Sequence, residues 1–183
     1  MSDLNSVTPA AVVDFWREAG PAAWFARDAA FDRLFHDRFL AAHYAAARGE
    51  LSAWEETPEG VLALLILLDQ FPRNAFRGTG HMFATDGLAL AIAQRAVTRG
   101  LDLKVPEAMR AFIYLPYEHA ENLVAQDEAI RLMRPLGGEL LRYAEIHRDV
   151  IARFGRFPHR NPSLGRATSE EEQNFLDNGG FSG

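Results

Sequence analysis

Cysteine is absent from all 183 residues, which excludes disulfides, thiolate nucleophiles and cysteine-ligated zinc and fits a reducing compartment. Lysine is almost as scarce: Lys104 is the one lysine among 19 basic residues, the others being arginine. A genomic codon preference accounts for such a bias, so the arginine total by itself names no ligand. The longest apolar run, Val61 to Leu68, falls far short of the ~20 residues that cross a bilayer. Met1 to Pro9 has neither the basic start nor the apolar stretch of a secretion signal, so the expectation is a cytoplasmic chain without membrane contact. The net charge is −6 and the pI near 5.5, and without a broad basic face nucleic acid is not an expected partner. No two of the six histidines form a His-Glu-x-x-His or similar spacing, so no metal is expected. A nucleophile elbow, a phosphate loop and a dinucleotide fingerprint are all missing, and no cofactor is expected.

What the chain has is apolar bulk. A hydrophobic content of 48%, with 13 Phe and 3 Trp, supplies a core for one domain over residues 1–183, with 1–7 and 178–183 as flexible ends. Helix signals recur and no alternating strand pattern does, so the fold class is all-α: a compact multi-helix domain of antiparallel pairs. Thr8-Pro9 is an N-cap with proline at the first helical position, and Gly20 ends that helix. Asp28 opens a long helix with Phe31, Leu34, Phe35, Phe39, Ala42 and Ala46 on one face, closed by Gly49. Thr57-Pro58 opens a third, apolar on every side over 61–68 and therefore central, which Pro72 is expected to stop. Further helices are predicted at 86–99, 106–115, 117–134, 139–154 and 169–177, the last capped by Thr168 with Glu171 reciprocating.

Charge is distributed unevenly. Residues 71–81 and 153–166 hold six arginines and no acid, which leaves −12 on the rest of a chain of net charge −6. The two stretches resemble each other: Phe71-Pro72-Arg73-Asn74 with Arg77-Gly78, and Phe157-Pro158-His159-Arg160-Asn161 with Gly165-Arg166. Arg73, Arg77, Arg156 and Arg160 are candidate clamps for an anion, with Asn74, His159, Asn161 and Arg166 beside them, and the glycines let backbone N–H groups approach. The expectation is that the two loops meet around one polar pocket. Asp69, placed in the last turn of the central helix, requires a cation nearby. Glu118 and His119 stand in the first turn of the predicted 117–134 helix, whose dipole would keep His119 neutral and able to act as a base. With Asp69 they are the candidate acid–base groups. Each residue also has a structural reading: an Asp–Arg pair that fixes a loop, an ordinary first-turn acid, a packed histidine. His147 falls on the apolar stripe of its helix, where a core residue with one hydrogen bond is the common case, but its functional reading stays open as well. For His43 the core and functional readings both stay open.

Several further segments carry a family resemblance: Asp14-Phe15-Trp16, Trp24-Phe25, Trp54, Thr57-Pro58-Glu59-Gly60, Leu68-Asp69-Gln70-Phe71-Pro72-Arg73-Asn74, Tyr114-Leu115-Pro116, Glu118-His119 and Arg153 to Asn161. Over nearly its full length the chain resembles the bacterial family catalogued as domain of unknown function 924. That resemblance implies an all-helical fold of the tetratricopeptide-like superhelical class and carries over no catalytic residue. Two departures stand out. Arg17 replaces an expected aromatic, and Ala120 an expected serine, so no hydroxyl lies beside His119. The leading functional expectation is binding of a small phosphate- or carboxylate-bearing molecule, with acid–base hydrolase, lyase or transferase chemistry if there is a reaction. The alternatives are a tetratricopeptide-like module for a protein or peptide partner, and a purely structural role for the motifs. Whether the protein is an enzyme and which oligomer it forms are not legible.

Overall fold

A computed structural model of the chain describes residues 7–183. The expected flexible segment 1–7 therefore lies outside the description except for Val7. The described residues form helices and no strand, and none of the helices is long and apolar enough to cross a membrane. Where the sequence predicts one domain, the chain resolves into two compact units. The first runs to Arg77 and resumes over His81–Pro116; the second comprises Gly78–Gly80 and Tyr117–Gly183.

In the first unit, α1 (Pro9–Ala19) starts as expected, with the Thr8 hydroxyl accepting from Ala11 N. A short α2 (Pro21–Trp24) follows, and α3 (Ala29–Ala47) is capped by the Asp28 carboxylate, which accepts from Ala30 N and Phe31 N. The rings of Phe15, Trp16, Phe35, Phe39 and Phe71 pack at centroid separations of 5.1–5.8 Å, and Trp16 meets Phe112 edge-on at 5.5 Å. This aromatic core lies against α4 (Pro58–Leu65).

Pro72 does not stop the central helix. After α4 the chain makes a π-helical turn, Ile66–Gln70, and continues into α5 (Phe71–Ala75). Proline has no N–H to offer the carbonyls four and five residues before it, Leu68 and Leu67. Both find other donors: Thr85 Oγ1 donates to Leu68 O at 2.5 Å, and His43 Nδ1 to Leu67 O at 2.9 Å. A π-turn with side chains supplying the missing donors lets the proline stay inside the run. Asp69 thus sits in a mid-helix turn and not at a helix end. Packing in this unit is completed by α6 (Asp86–Thr98) against α4.

The predicted break at residue 116 is also absent. Helix α7 (Glu107–Glu118) passes through Pro116 in its last turn, where the proline gives no N–H to the Phe112 carbonyl four residues back. The second unit follows with α8 (Leu123–Met133), which starts at an Asn122 cap, and α9 (Gly138–Phe154). These two pack as a hairpin closed at Leu136–Gly137. The last helix, α10 (Glu170–Asp177), is capped by Ser169 and Glu172 in a capping box, one residue later than the predicted Thr168–Glu171 pair. It ends in a Schellman motif: Gly179 N donates to Leu176 O and Gly180 N to Phe175 O, with Gly179 at φ +78°. Residues 178–183, expected to be loose, pack back on their unit through Phe181.

Candidate functional site

The polar residues of the first unit form a network around three aspartates. Asp69 is fully buried and accepts from Gln70 Nε2 at 2.6 Å. Arg73 Nη1 lies 3.3 Å from its carboxylate and donates to its backbone carbonyl. The same guanidinium grips Asp86 with both terminal nitrogens, at 2.9 and 3.1 Å. Asn74 Nδ2 and Arg77 Nε and Nη2 all converge on Asp32, at 2.6–3.1 Å. His43 is buried at the π-turn, its Nε2 3.4 Å from His81 Nε2. Burial lowers its pKa, and His81 adds to that effect against the opposing pull of the Leu67 carbonyl.

Two arginines of the 153–166 loop are likewise held by carboxylates. Arg156 makes a fork on Glu172 at 2.6 and 2.8 Å and reaches Ala167 O. Arg166 makes a fork on Glu121 at 2.6 and 2.9 Å and reaches Phe157 O. Phe157 N also donates to Glu121, and Asn161 Nδ2 to Thr168 Oγ1 and Glu172. The Arg156 fork, opposed by desolvation and helped by the Ser169 N–H, brings the Glu172 carboxyl down to about 2. At Glu121 burial pushes upward but is outweighed by Arg166 and the Phe157 N–H, so its pKa is lowered.

The arrangement with most chemical content is elsewhere in the second unit. His147, on α9, is 7% exposed, and Glu118, the last residue of α7, is 3% exposed. His147 Nδ1 lies 2.8 Å from Tyr143 O and 3.1 Å from Glu118 Oε1. A carbonyl oxygen can only accept, so Nδ1 carries the proton and donates to Tyr143 O with Glu118 Oε1 close beside it, which leaves the lone pair on Nε2. The imidazole of His119 is centred 6.2 Å away. Phe157 packs edge-on against His147 at 5.4 Å, and Phe181 lies 4.3 Å away. His159 completes the ring cluster, 5.7 Å from Phe157 and 5.4 Å from Phe181. The buried Arg160 guanidinium stands 4.4 Å over the Phe157 ring. Burial depresses the His147 pKa to about 3, aided by the positive charge of His119, Arg160 and His159 and resisted by the Tyr143 carbonyl. Gln126 is fully buried and fastens the turn after α7, donating from Nε2 to Glu118 O and Ala120 O. Its Oε1 is buried and accepts no hydrogen bond among the described residues.

Of the residues singled out from the sequence, Glu118, His119, His159 and Arg160 therefore come together around His147. Arg156, Asn161 and Arg166 lie in the carboxylate-pinned part of the same unit, while Asp69, Arg73, Asn74 and Arg77 form the network of the first. One argument is overturned: His119 follows the C-terminus of α7 and does not open a helix, so the dipole reason for a neutral imidazole does not apply. At the centre of this group stands His147, for which the sequence leaves core and functional readings open. Its inward position on the stripe was legible, but its partner Glu118 is far away in sequence. Among the described residues no group of three or more His, Asp or Glu side chains is placed to hold a metal ion.

Comparison with known proteins agrees with the helical architecture. The solved "Structure of Protein of Unknown Function ATU0120 from Agrobacterium tumefaciens" superposes with a TM-score of 0.92 at 57% identity, covering 93% of this chain and 97% of that one. No curated protein matches the chain. The family model described as "Bacterial protein of unknown function (DUF924)" matches residues 12–180. With nearly all of its length inside that match, the chain belongs to this bacterial family of unknown function.

Proposed function

We propose that this protein binds a small anion, a carboxylate or phosphate, at the Glu118–His147 pair, and that His147 Nε2 accepts a proton there. The observation that carries the reading is a buried Glu118 carboxyl group 3.1 Å from the Nδ1 of a buried imidazole whose proton the Tyr143 carbonyl fixes there, leaving a base on Nε2. Neither group is needed to fill an apolar core, and burying both costs stability that an aliphatic pair would not. Arg160 supplies a positive charge near the pair that favours an anion, with the imidazoles of His159 and His119 adjoining. An anion arriving there offsets part of that charge and raises the basicity of His147.

The four arginines that grip Asp86, Asp32, Glu172 and Glu121 belong to a different reading. Arg73, Arg77, Arg156 and Arg166 hold loops in place, as their two-pronged contacts with internal carboxylates indicate. The absence of cysteine supports a reducing, cytoplasmic setting.

A thermal-shift panel of acetate, benzoate, inorganic phosphate and phenyl phosphate tests the proposal. At least one anion should raise the melting temperature of the wild type, and Arg160→Ala and His147→Gln should each lose that rise. A rise that survives both substitutions, or no rise with any anion, would count against the site.

A further inference from the structure

The ring cluster around His147 contains one outsider. His147 belongs to α9, and Phe157 and His159 to the loop after it, but Phe181 arrives from the segment beyond α10. The Schellman motif directs it there: Gly179 takes the left-handed conformation, and a side chain at Gly180 would come within 2.5 Å of Phe175. The chain therefore turns back sharply and lays the Phe181 ring between the two imidazoles, 4.3 Å from His147 and 5.4 Å from His159, tilted 56° and 80° to them. Phe181 remains only partly buried. The slot against the imidazole of the proposed base thus already holds a phenyl ring, presented by a short segment on a two-glycine hinge.

We infer that the natural ligand carries its anionic group on a flat aromatic ring, and that this ring takes the place of Phe181. The inference rests on the reading of Glu118–His147 as an anion site and adds the ligand class. An aryl carboxylate or aryl phosphate would set its ring against His147 and Phe157, the rings that now flank Phe181. Its charged group would lie in the field of His159 and Arg160. A saturated ring of the same size lacks the flat face and the edge-to-face attraction that aromatic pairs provide.

The test compares benzoate with cyclohexanecarboxylate, and phenyl phosphate with inorganic phosphate, by calorimetric titration of the full chain. Wild type should bind the aryl member of each pair about fivefold or more tightly. Phe181→Ala should bind benzoate more tightly still, because no internal ring has to be displaced, and Phe181→Leu should shift affinity in the same direction by less. In the wild type, the proton–proton cross-relaxation between the Phe181 ring and the His147 imidazole should vanish at saturating benzoate. Equal binding of aryl and saturated partners, or cross-relaxation that persists in the bound state, would overturn the inference while leaving the anion site standing. If none of the four compounds binds, the site reading falls and the inference with it.

Discussion

At the residue scale, the chemistry of the site turns on which nitrogen of one imidazole carries a proton. The Tyr143 carbonyl decides this for His147, and Glu118 reinforces it. With a pKa of about 3, His147 should stay in its neutral Nδ1–H form from pH 8 down to about 4. Nitrogen-15 titration of the imidazole checks this, and a protonation step between pH 5 and 8 would show the assignment to be wrong. Little of the pair was legible in the sequence. Helical spacing placed His147 on an inward face, and Glu118 was singled out on other grounds. Nothing local says that a residue closing one helix meets a residue in the middle of another. The arginine partners were hidden for the same reason: Arg77 finds Asp32, and Arg166 finds Glu121, each across 45 residues of chain. Seen alone, those guanidinium groups suggest ligand clamps; the carboxylates they meet are what supports the loop-holding role proposed above.

At the scale of the element, caps were read well and prolines badly. Thr8, Asp28 and Thr57 each cap as their sequences announce, because capping is decided within four residues. Pro72 and Pro116 read locally as stops, yet both lie inside helices, and at Pro72 the missing N–H is made good by side chains distant in sequence, Thr85 and His43. Thr85→Val should therefore cost about 1–2 kcal/mol, since it strips a buried carbonyl of its donor, while a urea midpoint unchanged from wild type would mean that Leu68 O is satisfied some other way. The cap of α10 gives a second check. Ser169→Ala should cost about 1 kcal/mol in denaturant unfolding through loss of the capping box, whereas a larger loss in Thr168→Ala would restore the cap first predicted from the sequence.

At the scale of the whole molecule, the lowered pKa values of several groups, through burial for the histidines and through Arg156 for Glu172, fix how stability responds to acid. His147, His43 and Glu172 all have folded pKa values below their unfolded ones. The unfolded chain therefore binds protons first, and each group's contribution is intact above its unfolded value and lost as pH falls toward the folded one. For His147 that window runs from 6.5 to about 3, and for Glu172 from 4.5 to about 2. Urea midpoints should be level above pH 7, decline from about pH 6.5 as the histidines take effect, and steepen below 4.5. His147→Gln should flatten the upper part of the decline, and a wild-type profile level down to pH 4.5 would contradict this. All-α architecture and family membership were both readable from composition, periodicity and motif wording; the division into two units was not, since it depends on which helices find each other. The most direct test of the Glu118–His147 site is calorimetric titration of benzoate at pH 7 into wild type and His147→Gln. Wild type should bind about tenfold more tightly than the variant, or better. Equal affinity in the two proteins would contradict the assignment.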